Sequence, residues 1–401
     1  MCLIYVKMMI KIFQIISGLF YSFYKVQHNT VLFQSFGGQY NDNAKYISEE
    51  LHRRAPNVKI RWVQSGKSKD TVPSYAEVAD IESFKYRKYI WTSKVLVDNH
   101  FGIRSSVYPK KQWLLNIIGA YTAKYKKGQY TLSTWHGTTL KKIAMDEPNA
   151  RELNSYHINC NVMLSGCSLT TSSLKHAFDN SFPILECGTP RNDILLNDDI
   201  DINELKDKLG LPKEKRIVLY APTFRNEVSL SGASQLEEFN YEALLNALSK
   251  KFGGEWCFVP RVHNLVLQSM DFQQLCKKHQ DVAFANGNLH DDMAEYLKCT
   301  DVLITDYSSS MFDYALTGRP CFLLTPDLYE YEHSERGFYF NISETPFPLA
   351  NNSHELEKAI LEFDNNEYDI QIARFLDFIG NKEDGRASEK TVDYLLEKMN
   401  S

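Results

Sequence analysis

A chain of 401 residues, 43% of them hydrophobic, can fill two cores of ordinary volume, which points to two domains. A net charge of -5 excludes a nucleic-acid binder held by phosphate contacts along a basic groove, so any anion site is confined to a local cluster. The eight cysteines form no C-x-x-C pair and several sit inside apolar runs, which suits a reducing compartment better than a disulfide framework.

The first stretch, "MCLIYVKMMIKIFQIISGLFYSFYKVQ", repeats a polar residue every three or four positions: Lys7, Lys11, Gln14, Gly18, Ser22 and Lys25. On a helix these make one narrow stripe against a broad apolar face. The charges recur too often for a spanning helix, and no small-residue cleavage site follows. An apolar helix over residues 1–29, lying on the inner membrane face, is the expectation; docking on the protein's own body is the alternative.

From Thr30 onward short apolar runs alternate with helical stretches, the pattern of βαβ units around a parallel sheet. "TVLFQSF" reads as the first strand, a Gly-Gly turn follows, and "NAKYISEELHRR" reads as a helix. "KIRWVQ", "KVLVDN" and "QYTLSTWH" read as further strands. In "YPKKQWLLNIIGAYTAKYKKGQ", Lys110, Lys111, Lys124, Lys126 and Lys127 flank an apolar segment, a second stretch suited either to anionic headgroups or to burial with solvated ends. The polar, Pro- and Gly-punctuated stretch "GTPRNDILLNDDIDINELKDKLGLPKEK" precedes the strand "RIVLYAPTF", and "DVAFAN" belongs to the second half. The expected units are therefore 1–29, 30–194 and 195–401, the last two being αβα domains facing a cleft. In such sheets ligands lie beyond the carboxyl ends of the strands.

Four strand ends carry chemistry. In "TLSTWHGTTLKK", His136 ends a strand, Gly137 allows a close turn, and Thr138 or Thr139 is placed to cap a helix carrying Lys141 and Lys142. An imidazole there suits proton transfer from a hydroxyl, its ordinary pKa being about 6.5, although a capping or core histidine has the same local pattern. In "EWCFVPRVHN", period-two alternation puts Arg261 and His263 on one face, where two donors suit an anion or a surface pair. "RIVLYAPTFRN" brings Thr223 as a candidate cap and Arg225 as a fork for phosphate or for a structural carboxylate. Finally, "LITDYSSSMFDYALTGRP" places Asp306, Ser308, Ser309 and Ser310 between an apolar strand and a helix. One serine serves as N-cap; the others supply hydroxyls beside free N-H groups, a cradle for phosphate.

Other motifs fail. "SGKSK" lacks the earlier glycine of a P-loop, no G-x-G-x-x-G follows the first strand, "DID" before a helix is explained by capping, and no His/Cys cluster has zinc spacing.

The ordered motifs "TWHGTTLKK", "GTPRND", "YAPTFR", "ITDYSSSMFDYA" and "RGFYF" resemble those of the CDP-glycerol glycerophosphotransferase family, from about "FGGQYNDNAKYI" onward. The resemblance implies a GT-B-like fold of two Rossmann-type parallel-sheet domains. It also implies transfer of glycerol phosphate, or a related polyol phosphate, in teichoic-acid or capsule synthesis, with release of CMP. The donor it implies is CDP-glycerol or CDP-ribitol, and the acceptor is a lipid-linked saccharide or polyol at the cytoplasmic face of the membrane. The histidines linked to catalysis in that family match His136 and His263, and its donor-phosphate segment matches Asp306, Ser308 and Ser309. Thr139 replaces a usual proline and Asn341 a frequent acidic residue, departures that bear on donor choice and acceptor fit. No cofactor is firmly implied; Mg2+ is left open. Two other readings stand beside this one: a GT-B glycosyltransferase using a nucleotide sugar, and a non-catalytic nucleotide-binding scaffold.

Overall fold

The computed structural model of the chain describes residues 20, 23–66, 71–81, 83–100, 106–107, 125–148, 156–157, 160–178, 182–223, 240–261, 290, 292–334 and 337–400. Residues 27–186 supply a sheet of seven parallel strands. These are β1 (Gln27–Phe33), β2 (Lys59–Gln64), β3 (Glu77–Asp80), β4 (Ser93–Asp98), β6 (Tyr130–Ser133), β8 (Val162–Ser165) and β9 (Ile184–Glu186), ordered β3-β2-β1-β4-β6-β8-β9. The two short strands β5 (Ser106–Val107) and β7 (Tyr156–His157) pair antiparallel outside that sheet.

Side-chain alternation explains why both faces of the sheet are covered. Val31, Phe33, Val95 and Val97 enter one core, while Leu32 and Leu96 enter another on the opposite side. The helix Asp42–Arg54 covers the first face with Ala44, Ile47 and Leu51, its acidic first turn and basic last turn suiting the helix dipole.

The second sheet has five parallel strands, ordered β11-β10-β12-β13-β14. They are β10 (Arg216–Tyr220), β11 (Trp256–Pro260), β12 (Val302–Thr305), β13 (Cys321–Leu324) and β14 (Leu349–Ala350). Ile217, Val218, Leu219 and Tyr220 are all buried, so β10 is the central strand its unbroken apolar run suggests.

The polar stretch from residue 188 to 215 is built rather than loose. Pro190, Arg191 and Asn192 form a buried 3-10 turn, followed by the helices Asp193–Leu196 and Ile202–Leu209. Asp201 caps the latter by accepting the N-H groups of Asn203 and Glu204 at 2.8 and 3.2 Å, the role expected for "DID".

The last helix, Ala387–Asn400, lies in the expected 195–401 unit but packs on the first sheet. Val392 and Leu395 join the core under β1 and β4, and the Tyr394 and Tyr130 hydroxyls meet at 2.5 Å. Of the expected amino-terminal helix, residues 1–19 and 21–22 lie outside the described residues, as do 108–124 of the lysine-flanked segment. Among the described residues no helix is long and apolar enough to cross a membrane.

Candidate active site

The loops at the carboxyl ends of β1, β4 and β6 are drawn together by side-chain hydrogen bonds. Ser35 Oγ donates to Asn41 Oδ1 at 2.6 Å, and Asn99 Oδ1 accepts the Phe36 N-H at 3.3 Å. Three non-glycine residues here, Phe36, Asp42 and Trp135, have φ of 21°, 57° and 53°. Such left-handed backbone costs on the order of 1–3 kcal/mol per residue and collects where positioning outweighs stability. His136 follows the third of them. Its ring stacks on Trp135 with centroids 4.1 Å apart and meets His100 edge-on at 5.5 Å and Phe36 at 6.3 Å. Burial pushes the His100 pKa down, with Asp42 acting in the opposite direction, so that ring is held toward its neutral form.

The second sheet brings its serine turn to the same place. A methyl group on Gly137 would sit 3.0 Å from Ser309 Oγ, so the turn after His136 and the turn after β12 are in direct contact. Gly137 has φ +126°, a conformation that side chains rarely adopt, and it is needed twice: for the turn and for this approach.

Within the serine turn, Ser308 Oγ accepts the Ser310 N-H at 3.3 Å and the Ser310 hydroxyl at 2.9 Å. Ser309 stands at the N-cap position of the helix Ser310–Ala315 but makes no side-chain capping bond, because its backbone is already helical at φ -62° and ψ -13°. The serine that caps this helix start is therefore Ser308, whose Oγ accepts the Ser310 N-H. Asp306, buried at the end of β12, accepts the Thr223 N-H at 2.8 Å and the Thr223 hydroxyl at 2.7 Å, tying the ends of β10 and β12. Thr223 is thus held by Asp306 where a helix cap was expected.

Behind this contact lies Arg191. Its Nη1 donates to Asp42 Oδ2 at 2.7 Å and to the His136 carbonyl at 3.1 Å; Nη2 and Nε donate to Asp313 Oδ2 at 2.8 and 3.2 Å. Burial disfavours the charged guanidinium, but Asp313 and Asp42 outweigh that and raise its pKa above the ordinary value.

The expectations for residues 138–142 need correction. Thr138 and Thr139 cap no helix. The segment is extended: Lys141 bridges Phe338, Lys142 N-H donates to Gly337 O at 3.0 Å, and Tyr339 N-H donates to Leu140 O at 2.9 Å. Apolar contacts of Leu140 and Phe338 with the second core make this cross-strand pairing preferable to an isolated helical turn. The Lys141 ammonium lies over the Tyr331 ring, 5.1 Å from its centroid. Arg261 places its guanidinium over Tyr296 at 4.6 Å, and its N-H donates to Tyr220 O at 2.7 Å. Arg225 and His263 lie outside the described residues.

The structure thus brings together His136, Gly137 and Ser309, with Ser308 and Ser310 in the same turn. It adds four residues that sequence reasoning missed: His100, Asp42, Arg191 and Asp313. A cavity of about 710 Å³ lies elsewhere, against Lys45, Asp193, Lys208 and Glu295. Eight carboxylates and four cationic side chains line it, so it repels a diphosphate, and none of the expected site residues reaches it. Among the described residues no three His, Cys, Asp or Glu side chains gather to hold a metal ion.

Residues 18–397 match the family model described as CDP-Glycerol:Poly(glycerophosphate) glycerophosphotransferase. The teichoic acid poly(glycerol phosphate) polymerase of Staphylococcus epidermidis is 30% identical over 92% of this chain and 51% of its own length. The teichoic acid glycerol-phosphate transferase of Staphylococcus aureus is 30% identical over 90% of this chain and 91% of its own. The chain spans about half the length of the first curated relatives it matches. Among solved structures, the wall teichoic acid polymerase TagF superposes with a TM-score of 0.78 at 27% identity, covering 100% of this chain and 97% of that one. At 12% identity and a TM-score of 0.52, S. aureus MnaA with UDP, which covers 92% of this chain and 97% of its own, shares the two-sheet GT-B-like fold alone.

Proposed function

We propose, since this chain belongs to the CDP-glycerol:poly(glycerophosphate) glycerophosphotransferase family, that it transfers glycerol phosphate or a related polyol phosphate from a CDP-activated donor to a hydroxyl of a lipid-linked acceptor. One observation carries the reading: the His136 turn of the first sheet touches the serine turn of the second through Gly137. A proton acceptor and a hydroxyl-lined helix start then share one space, as displacement at phosphorus requires. The solved TagF structures include one soaked with CDPG, which supports the same donor class.

In this reaction the acceptor oxygen forms a bond to the donor's β-phosphorus as the bridging P-O bond breaks and CMP leaves. His136 takes the acceptor's proton, with the neutral ring of His100 beside it. Ser308, Ser309 and Arg261 neutralise developing charge, joined by His263 and Arg225. Asp306 acts one step back by fixing Thr223. The halves 30–194 and 195–401 correspond in this reading to acceptor and donor sides.

The site works at the cytoplasmic face of the membrane, the protein being peripheral. Exposed Phe20, Phe23 and Tyr24, with the Lys88 ammonium 5.8 Å from the Tyr24 ring, support a face that meets lipid. The test is purified protein offered CDP-glycerol, CDP-ribitol and a UDP-sugar with a lipid-linked acceptor, read by product mass and CMP release. A polyol-phosphate increment with CMP is expected; a glycosidic product with UDP overturns the reading.

A further inference from the structure

We infer that Arg191 is a positioning residue whose single guanidinium sets the spacing between the His136 turn of the first sheet and the serine turn of the second. The inference rests on the transfer reading above. Three segments converge on the residue. Its guanidinium takes Asp42 at the start of the helix Asp42–Arg54, the carbonyl of His136, and Asp313 in the first turn of the helix that follows the serines. Its own N-H donates to Asn43 Oδ1 at 3.0 Å, and Asn43 Nδ2 returns to Trp135 O at 3.3 Å. Asn192 Nδ2 takes the other Asp313 oxygen at 3.1 Å.

Four of the five guanidinium N-H donors are used on these protein acceptors, so the group is fitted for geometry rather than for gripping a phosphate. Gly137 admits it: a Cβ there would fall 2.6 Å from Arg191 Nη2 and 3.0 Å from Ser309 Oγ. Guanidinium and serine therefore both close on the space beside Gly137, which has no side chain to hold them off.

Base and phosphate cradle belong to different halves, and a displacement of about 1 Å between them costs about a hundredfold in rate. A planar fork fixes angle as well as distance, which a lysine ammonium does not. The experiment compares wild type, Arg191→Lys and Arg191→Ala for CMP release with CDP-glycerol, turnover being divided by donor-binding sites counted calorimetrically. Arg191→Lys is expected to lose at least thirtyfold in kcat with donor KM within threefold. Arg191→Ala is expected to regain at least tenfold with methylguanidinium and nothing with methylammonium. Wild-type turnover per site in Arg191→Lys, or equal rescue by both cations, overturns the inference. Should Arg191→Ala not fold, Asp313→Asn keeps the guanidinium and is expected to show the same kcat loss. Hydrogen exchange decides without any donor: Arg191→Lys should speed exchange at least tenfold in segments 134–142 and 306–316 together, and no change in either overturns the strut. A wild type silent toward every polyol donor defeats the transfer reading alone.

Discussion

Two ionic clusters join the halves, and both begin on the helix Asp42–Arg54. At its first residue Asp42 meets Arg191, which continues to Asp313. Three residues on, Lys45 reaches Asp292 at 2.7 Å and Glu295 at 2.5 Å, while Lys208 also takes Glu295 at 2.6 Å and the Tyr46 hydroxyl takes Asp292 at 2.9 Å. Burial opposes the charge on Lys45, but Asp292 and its neighbours outweigh it and the pKa stands well above the usual lysine value. The first cluster is a planar fork against the backbone of His136; the second is a point charge among carboxylates beside the 710 Å³ cavity. One turn of helix separates the seam that we infer sets the geometry of the proposed reaction from a seam that only joins the halves.

Variants that touch one seam at a time test that division. His136→Ala should lower kcat by about 10²–10⁴-fold, the usual worth of a general base, with donor affinity kept and folding stability changed by less than about 1 kcal/mol. CMP release and denaturant titration read the two quantities. Lys45→Met should do the reverse. It takes the ammonium away from Asp292, 2% exposed, and leaves Glu295, 5% exposed, with Lys208 alone, and should cost about 3–5 kcal/mol of stability while turnover per donor-binding site stays within threefold. Adding Asp292→Asn and Glu295→Gln should restore most of the loss. A fall in turnover per site comparable to that of His136→Ala would erase the distinction between the seams.

Much of the fold was legible because its signals are local. "KIRWVQ" coincides with β2, the apolar runs of β10 and β12 are buried as read, and Asp201 caps its helix. The serine turn stood out because it carries more hydroxyls than a cap requires. Arg191 and Asp313 escaped because charged residues in a polar stretch look solvated, and their partnership spans 122 positions with no periodic trace. His100 was within reach: it follows β4 as His136 follows β6, and the same strand-end reasoning applied to "KVLVDNH" finds it. Residues 138–142 misled because their extended form depends on pairing with Phe338 and Tyr339 in the other half.

A smaller, pH-dependent effect lies behind the first seam. The Glu383 carboxylate fills a notch between Gly166 and Gly188, accepting Thr189 N-H at 2.8 Å and Asn192 Nδ2 at 3.3 Å. Burial, assisted by Asp313 and opposed by the bond from Thr189, raises its pKa from 4.5 to about 7. A raised folded-state value means that the group stabilises most below pH 4.5 and that this contribution fades as pH climbs through 7. Glu383→Gln cannot lose a proton, so its stability relative to wild type should improve by about 1–2 kcal/mol between pH 5 and pH 8, a figure reduced because part of the residue meets solvent. Thermal unfolding at several pH values checks it, and a constant difference would show that the carboxylate is not strained.

Thr139 gives the finest test of how far the first seam's sensitivity extends. It stands two residues beyond Gly137, its N-H donates to Thr170 Oγ1 at 3.3 Å, and its own hydroxyl is buried with no hydrogen-bond partner among the described residues. Thr139→Val keeps the shape and the N-H while removing an oxygen that water would otherwise satisfy, so a gain of about 0.5–1 kcal/mol is expected. Turnover should stay within twofold, because no bond of the Arg191 cluster passes through this side chain. A larger change in turnover without loss of stability would extend the geometry-sensitive region from the Gly137 contact into the strand-like pairing with Phe338. Thr139→Pro separates the two contributions further: it deletes the same hydroxyl but also the N-H to Thr170, so it should fall below Thr139→Val in stability by about 1 kcal/mol.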